Sequence, residues 1–136
     1  MLIDDGTRAF IESQPVARLA TVDERGRPHA VPVCFTLDGD TALTPVDEKP
    51  KRGDPARLRR LRNIAANPRV VLLIDVYDAT DWRRLRYTQL HGAARIIEPG
   101  GDGHARALTL LRARYPQYRT MALEERPVIA IDVERV

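Results

Sequence analysis

The chain has 136 residues, 43% of them apolar, which suits one compact domain over residues 1–136. Lys and Arg total 22 against 19 Asp and Glu, so the net charge is only +3 and the positive charge is arranged rather than large. A single cysteine, Cys34, excludes an internal disulfide framework, and there is neither a basic-then-apolar leader nor a run of about 18 apolar residues, so the reading is a soluble, cytoplasmic protein with no membrane partner.

Asp5 to Ser13 places Ala9, Phe10 and Ile11 among polar residues and reads as a short amphipathic helix stopped by Pro15. Val16 to Val22 alternates with period two, Ala17, Leu19 and Thr21 on one face, and is a strand. Turn residues Asp23 to Pro28 lead into a second strand, His29 to Leu37. Pro32 inside it cannot donate to a ladder and needs an edge, a bulge or a ligand beside it. Asp38-Gly39-Asp40 is a hairpin turn, so Thr41 to Val46 should return as a third strand antiparallel to the second, with Pro32 and Pro45 on adjacent strands.

Asp54-Pro55 has the form of an N-cap followed by a first-turn proline, predicting a helix to about Ala66 with Leu58, Leu61, Ile64 and Ala65 facing the core. Val70 to Tyr77 is nearly all apolar and reads as a central strand. Arg86 to Ile97 is a further strand with Gly92 as a bulge, His104 to Tyr115 a helix, and Pro127 to Val133 the last strand. Helices that do not alternate one-for-one with strands favour a barrel over a layered α/β fold, hence a mainly β (α+β) chain of six strands and about three short helices.

The most informative segment for chemistry is Lys49 to Arg62, where seven cationic residues, Lys49, Lys51, Arg52, Arg57, Arg59, Arg60 and Arg62, surround one acid, Asp54. Such a run is either a solvated helix face or an anion site. Helical spacing puts Arg57 and Arg60 at the edge of the buried stripe, with Arg59 and Asn63 pointing away. Guanidinium forks beside free N–H groups suit phosphate, although Asp54 opposes an anion lying directly on the cap. Pro32 and Val33, with Thr44, Pro45 and Val46, offer a flat surface for a planar ring or form a plain edge or bulge.

Several chemistries lack support. His29, His91 and His104 have no close-spaced ligand partner, so no metal is expected; Ser13 is the only serine and sits in no nucleophile elbow; no glycine-rich dinucleotide fingerprint follows a strand. Aromatic residues are only 5% and accompany the basic run with no stacking or recognition-helix pattern, which argues against nucleic acid as a partner. A lone tryptophan, Trp82, reads first as core.

Arg18 to Val22, Gly26 to Phe35, Asp47 to Lys51, Leu58 to Val70, Tyr115 to Arg119 and Pro127 to Val133 together resemble the pyridoxamine 5'-phosphate oxidase-like split-barrel superfamily. Within it they most resemble the actinobacterial group of coenzyme F420-dependent oxidoreductases. The resemblance implies a six-stranded antiparallel split β-barrel of the FMN-binding type, forming a homodimer with cofactor sites at the subunit interface. Each site would bind F420 or, alternatively, FMN, for hydride transfer to a conjugated, enone-like small molecule; a non-enzymatic cofactor carrier is a further reading. By position, Pro32 and Val33 would lie against the ring and Thr44 near its edge. Lys49, Lys51, Arg57 and Arg60 would lie near the phosphate, and Asn63 belongs to the same motif. Trp82 and Tyr87 would come from the other subunit to cover the ring, and Arg83 and Arg86 would meet an acidic tail. No catalytic side chain is evident; Tyr87 and solvent are the candidate proton donors.

Overall fold

The computed structural model describes residues 1–47 and 58–136. Helix α1, Asp5–Ser13, starts where the Asp4 carboxylate accepts from the Thr7 N–H at 2.7 Å and buries Phe10 and Ile11, matching the predicted bounds. Strand β1, Ala17–Val22, alternates as expected and buries one of its two faces, Ala17, Leu19 and Thr21. It is followed by β2 (Pro28–Val33), β3 (Thr36–Asp38), β4 (Thr41–Pro45), helix α2 (Arg59–Ala66), β5 (Arg69–Val76), β6 (Arg86–Ile97), helix α3 (His104–Arg114) and β7 (Val128–Arg135). Among the described residues one open antiparallel sheet, ordered β2-β1-β5-β6-β7-β4-β3, and three α-helices give the mainly β fold of a split barrel.

The strand count differs from the expectation because the predicted His29–Leu37 strand is two. Its first half pairs with β1, from Ala17 with Val33 to Val22 with Pro28, whereas its second half pairs with β4, from Thr36 with Leu43 to Asp38 with Thr41. Between them Phe35 is wholly buried and tied to the end of α3: its N–H donates to the Tyr115 hydroxyl at 3.0 Å, and its carbonyl accepts from Tyr115 and Arg114. Those side-chain bonds replace ladder bonds at the corner. Pro32 consequently lies on the edge strand β2 opposite Arg18, and Pro45 opposite Val128 on β7, so the two prolines do not share a ladder.

Helix α2 also departs from its predicted form. Leu58 is its extended N-cap and Arg59 its first residue, so the helix is shorter than expected; Asp54 and Pro55, the proposed cap, lie outside the described residues. Ala65 is exposed, and the buried face is Arg60, Leu61, Asn63 and Ile64. Asn63, expected to point away, is 2% exposed and donates from Nδ2 to the Thr21 hydroxyl on β1 at 2.9 Å. An apolar wheel cannot anticipate a polar residue that is satisfied by a partner on another element.

The β1–β2 turn is organised by Asp23. Its Oδ1 accepts from the Arg25 and Arg27 backbone N–H groups at 2.8 and 2.9 Å, and its Oδ2 from Arg27 Nε at 2.7 Å. The Arg27 backbone bond above all, then the Arg27 side chain, holds the carboxyl down at about 2. A depressed acid contributes stability above its unfolded value of about 3.9 and loses it as pH falls toward the folded value. Urea unfolding of the wild type should therefore weaken more steeply from about pH 4 to pH 2 than that of Asp23→Asn. Equal slopes would show that the turn does not depend on the ionised form.

Strand β6 carries the predicted bulge: its register against β7 shifts between His91 and Gly92. Two apolar cores result. One is centred on Leu19, Phe35, Leu72, Ile74, Leu90, Ile129 and Ile131; the other lies under α3, with Leu108, Leu111, Tyr118 and Val128. Among the described residues no helix is long and apolar enough to cross a membrane.

Candidate functional site

The ends of β2 and β4 and the buried face of α2 meet in a cavity of about 180 Å³ lined by Val16, Pro32, Val33, Cys34, Thr44, Pro45, Asp47 and Arg60. Pro32 can line it because an edge strand has no second ladder to serve. Thr44 enters from β4, opposite Ile129. It is 1% exposed, and its Oγ1 has no hydrogen-bond partner among the described residues. A buried hydroxyl without a partner costs free energy, so its place in a cavity wall marks where a ligand atom is wanted. Arg60, 5% exposed, brings a guanidinium to the same wall.

Asp47 was not foreseen here. Its Oδ2 accepts from the Tyr118 hydroxyl at 2.8 Å and its backbone carbonyl from Arg126 at 2.7 Å. Tyr118 is 3% exposed; burial first, then the bond to Asp47, pushes its phenol far above the ordinary value, so it stays protonated and serves as a fixed donor. Cys34, half-buried, stands in the same wall. Nothing local in Val46-Asp47 marks the acid as part of a site, because its partner is supplied from 71 residues away.

The structure thus brings together four of the expected residues, Pro32, Val33, Thr44 and Arg60. Lys49, Lys51 and Arg57 lie outside the described residues. Asn63 lines a separate cleft with Asp23, Arg27, Pro28, His29 and Arg59, apart from the cavity that holds Arg60. Trp82 is on the surface rather than in the core: it is 69% exposed, and Tyr77, Leu85 and Tyr87, also in or beside the β5–β6 connection, are exposed too. Arg86 lies over the Phe10 ring at 4.4 Å and Arg83 pairs with Asp81 at 3.0 Å, so both have partners within the chain.

A wider concavity, about 620 Å³, opens over β1, β5 and β6 and includes none of the expected residues. Its charged rim is satisfied internally, Arg69 by Glu134 at 2.6 Å and Arg135 by His91 at 3.1 Å. The smaller cavity holds the unmet hydroxyl and is the better candidate. His104 Nε2 bonds the Arg126 carbonyl at 2.7 Å, and no three His, Cys, Asp or Glu side chains converge among the described residues.

The pyridoxamine 5'-phosphate oxidase family model matches residues 3–136. A curated relative, the 5a,11a-dehydrotetracycline/5a,11a-dehydrooxytetracycline reductase of Streptomyces rimosus, is 34% identical over 92 residues; the match spans 68% of this chain and 62% of that enzyme. The solved structure of HutZ, a heme storage protein of Vibrio cholerae, superposes with a TM-score of 0.74 at 17% identity, covering 100% of this chain and 93% of that one. An F420 reductase structure superposes with a TM-score of 0.66 at 23% identity, covering 97% and 96%. At those identities the two structures speak for the fold.

Proposed function

The chain belongs to the pyridoxamine 5'-phosphate oxidase family, and on that premise we propose that it is an oxidoreductase that passes a hydride from reduced coenzyme F420 to a conjugated small molecule. The observation that carries the reading is the unpartnered Thr44 hydroxyl beside Arg60, Pro32 and Val33. A flavin-type ring edge, flat and rich in carbonyl and N–H groups, fits that wall: Thr44 and Arg60 can donate, Asp47 can accept, and Pro32 and Val33 give an apolar face. The reductase named among the relatives supports the redox class, and an F420 reductase shares the fold.

The bound cofactor would supply the hydride, one carbon of the substrate's C=C bond receiving it and the other a proton. The protein would orient and desolvate. Tyr118 keeps its proton because burial holds its phenol up, so the proton that completes the reduction is assigned to solvent. Asp47 in the cavity wall is unfavourable for a phosphate, so the proposal puts the ring end here, with Arg60, expected near the phosphate, at the ring edge instead, and keeps Lys49, Lys51 and Arg57 for the phosphate.

The cavity formed by the described residues, about 180 Å³, is below the roughly 300–1,000 Å³ usual for such ligands. We therefore include a homodimer in the proposal, with Trp82 and Tyr87 of one copy covering the ring held by the other; their exposure is what such a role requires.

Fluorescence titration with F420 and with FMN tests the reading. F420 should bind in the micromolar range and FMN at least about tenfold more weakly. Micromolar FMN binding without F420 affinity would move the protein to FMN chemistry. Saturable binding with no turnover over a broad panel of conjugated substrates would make it a carrier.

A further inference from the structure

The chain holds one cysteine, and Cys34 stands in the wall of the cavity that contains the unmet Thr44 hydroxyl. It lies between β2 and β3, beside the corner where the Phe35 N–H is tied to Tyr115. A free cysteine is most often an inert core residue. Two observations separate Cys34 from that case. It is half-buried rather than buried, and it lines the cavity of about 180 Å³ and a neighbouring one as well. In the smaller cavity it has the company of a hydroxyl that is 1% exposed and makes no hydrogen bond among the described residues. That hydroxyl calls for a ligand atom, and Arg60 in the same wall is a donor with no acceptor capacity, so the ligand atom wanted there is an acceptor such as a carbonyl oxygen.

We propose that Cys34 is a covalent site for small α,β-unsaturated carbonyl compounds, its sulfur adding to the β carbon while the Thr44 hydroxyl holds the carbonyl oxygen. A molecule of this class answers both features of the wall at once, because its oxygen accepts a hydrogen bond and its conjugated carbon takes a soft nucleophile. The thiol first gives its proton to solvent. The thiolate electron pair then forms the C–S bond, the C=C bond opens toward the carbonyl, and solvent returns a proton to the α carbon, so nothing is oxidised or reduced. Donation from Thr44 strengthens as charge gathers on the oxygen, which makes the hydroxyl part of the reactivity and not only of binding. The small volume selects small electrophiles, below the size of usual drug-like ligands. The step uses neither hydride nor cofactor and stands apart from the redox reading of the same cavity.

The test compares 2-cyclohexen-1-one with methyl iodide, a small thiol alkylator that offers Thr44 no acceptor. Each is reacted with the full chain at about pH 8, where an ordinary thiol is partly ionised, and adducts are counted by intact mass and located by peptide mapping. One cyclohexenone should add per chain, at Cys34, with a rate that saturates in the millimolar range because binding precedes bond formation. The methyl iodide rate should rise linearly with concentration. Thr44→Val should slow the enone at least about fivefold, the value of one hydrogen bond, and leave methyl iodide within about twofold. Thr44→Ser keeps the hydroxyl and should stay within about threefold of the wild type with both reagents. The proposal is overturned if the native chain takes up no cyclohexenone, if the adduct lies elsewhere, if the enone rate stays linear to about 50 mM, or if Thr44→Val slows the two reagents alike. The readout is a mass and needs no cofactor, so failure here leaves the F420 titration to decide the hydride-transfer reading, and failure of that titration leaves the thiol site standing.

Discussion

Thr44→Val is expected to raise the stability of the ligand-free protein by about 1 kcal/mol and, in the same variant, to weaken cofactor binding by about tenfold. The two effects have one origin. Thr44 is 1% exposed and its hydroxyl finds no partner among the described residues, so the folded protein carries the desolvation cost of that group. Valine keeps the shape and removes the polar atom, and relief of an unsatisfied buried hydroxyl is worth about 1 kcal/mol, or roughly 3–5 °C in Tm at this chain length. In the proposed complex a ring edge beside Thr44 and Arg60 would give the hydroxyl its bond, which the variant cannot make. Thermal unfolding without ligand and a fluorescence titration with F420 read the two signs separately. A lowered Tm with unchanged affinity would show that Thr44 is a packing residue with no ligand to meet.

Gly92→Ala should cost about 3 kcal/mol and lower Tm by about 10 °C, the upper range for overpacking a sheet interior. Gly92 sits at the β6 bulge, opposite Val70 on β5 and Val133 on β7. A Cβ there would lie 2.3 Å from the Asp132 carbonyl oxygen, 3.0 Å from its carbon and 3.2 Å from Ile131 Cγ2. Neither the backbone of a central strand nor a branched core side chain can move aside cheaply. Gly39, in the β3–β4 turn at φ 62°, is the useful contrast: its added Cβ meets nothing within 4 Å, so Gly39→Ala should cost only the left-handed backbone strain of about 1–2 kcal/mol. Paired urea curves check the order. Equal losses at the two positions would mean that the close approach of β6 and β7 is relaxed in solution.

The legible parts of this protein are those set by neighbouring residues. Pro15 stops the helix begun at Asp5, and the period-two alternation of Val16 to Val22 marks β1 as a strand. Arg86–Ile97 is a strand with its bulge at Gly92, as its pattern indicated. Of the expected site, Pro32, Val33, Thr44 and Arg60 do converge. Asn63 belongs to a different cleft, and Trp82 is exposed rather than buried. Exposure of Trp82 cannot be read from the chain, since a large apolar side chain is equally at home in a core or against a second molecule.

By itself, then, the sequence determined the element types and the mainly β class, because periodicity and turn residues act over a few positions. Tertiary structure alone decided three things. It broke the second strand at Phe35 through Tyr115, 80 residues distant; it turned Asn63 inward to Thr21 across 42; and it set Asp47 against Tyr118 across 71. Each depends on a buried polar group finding a partner that only the folded chain brings within about 3 Å, and no local pattern encodes that meeting.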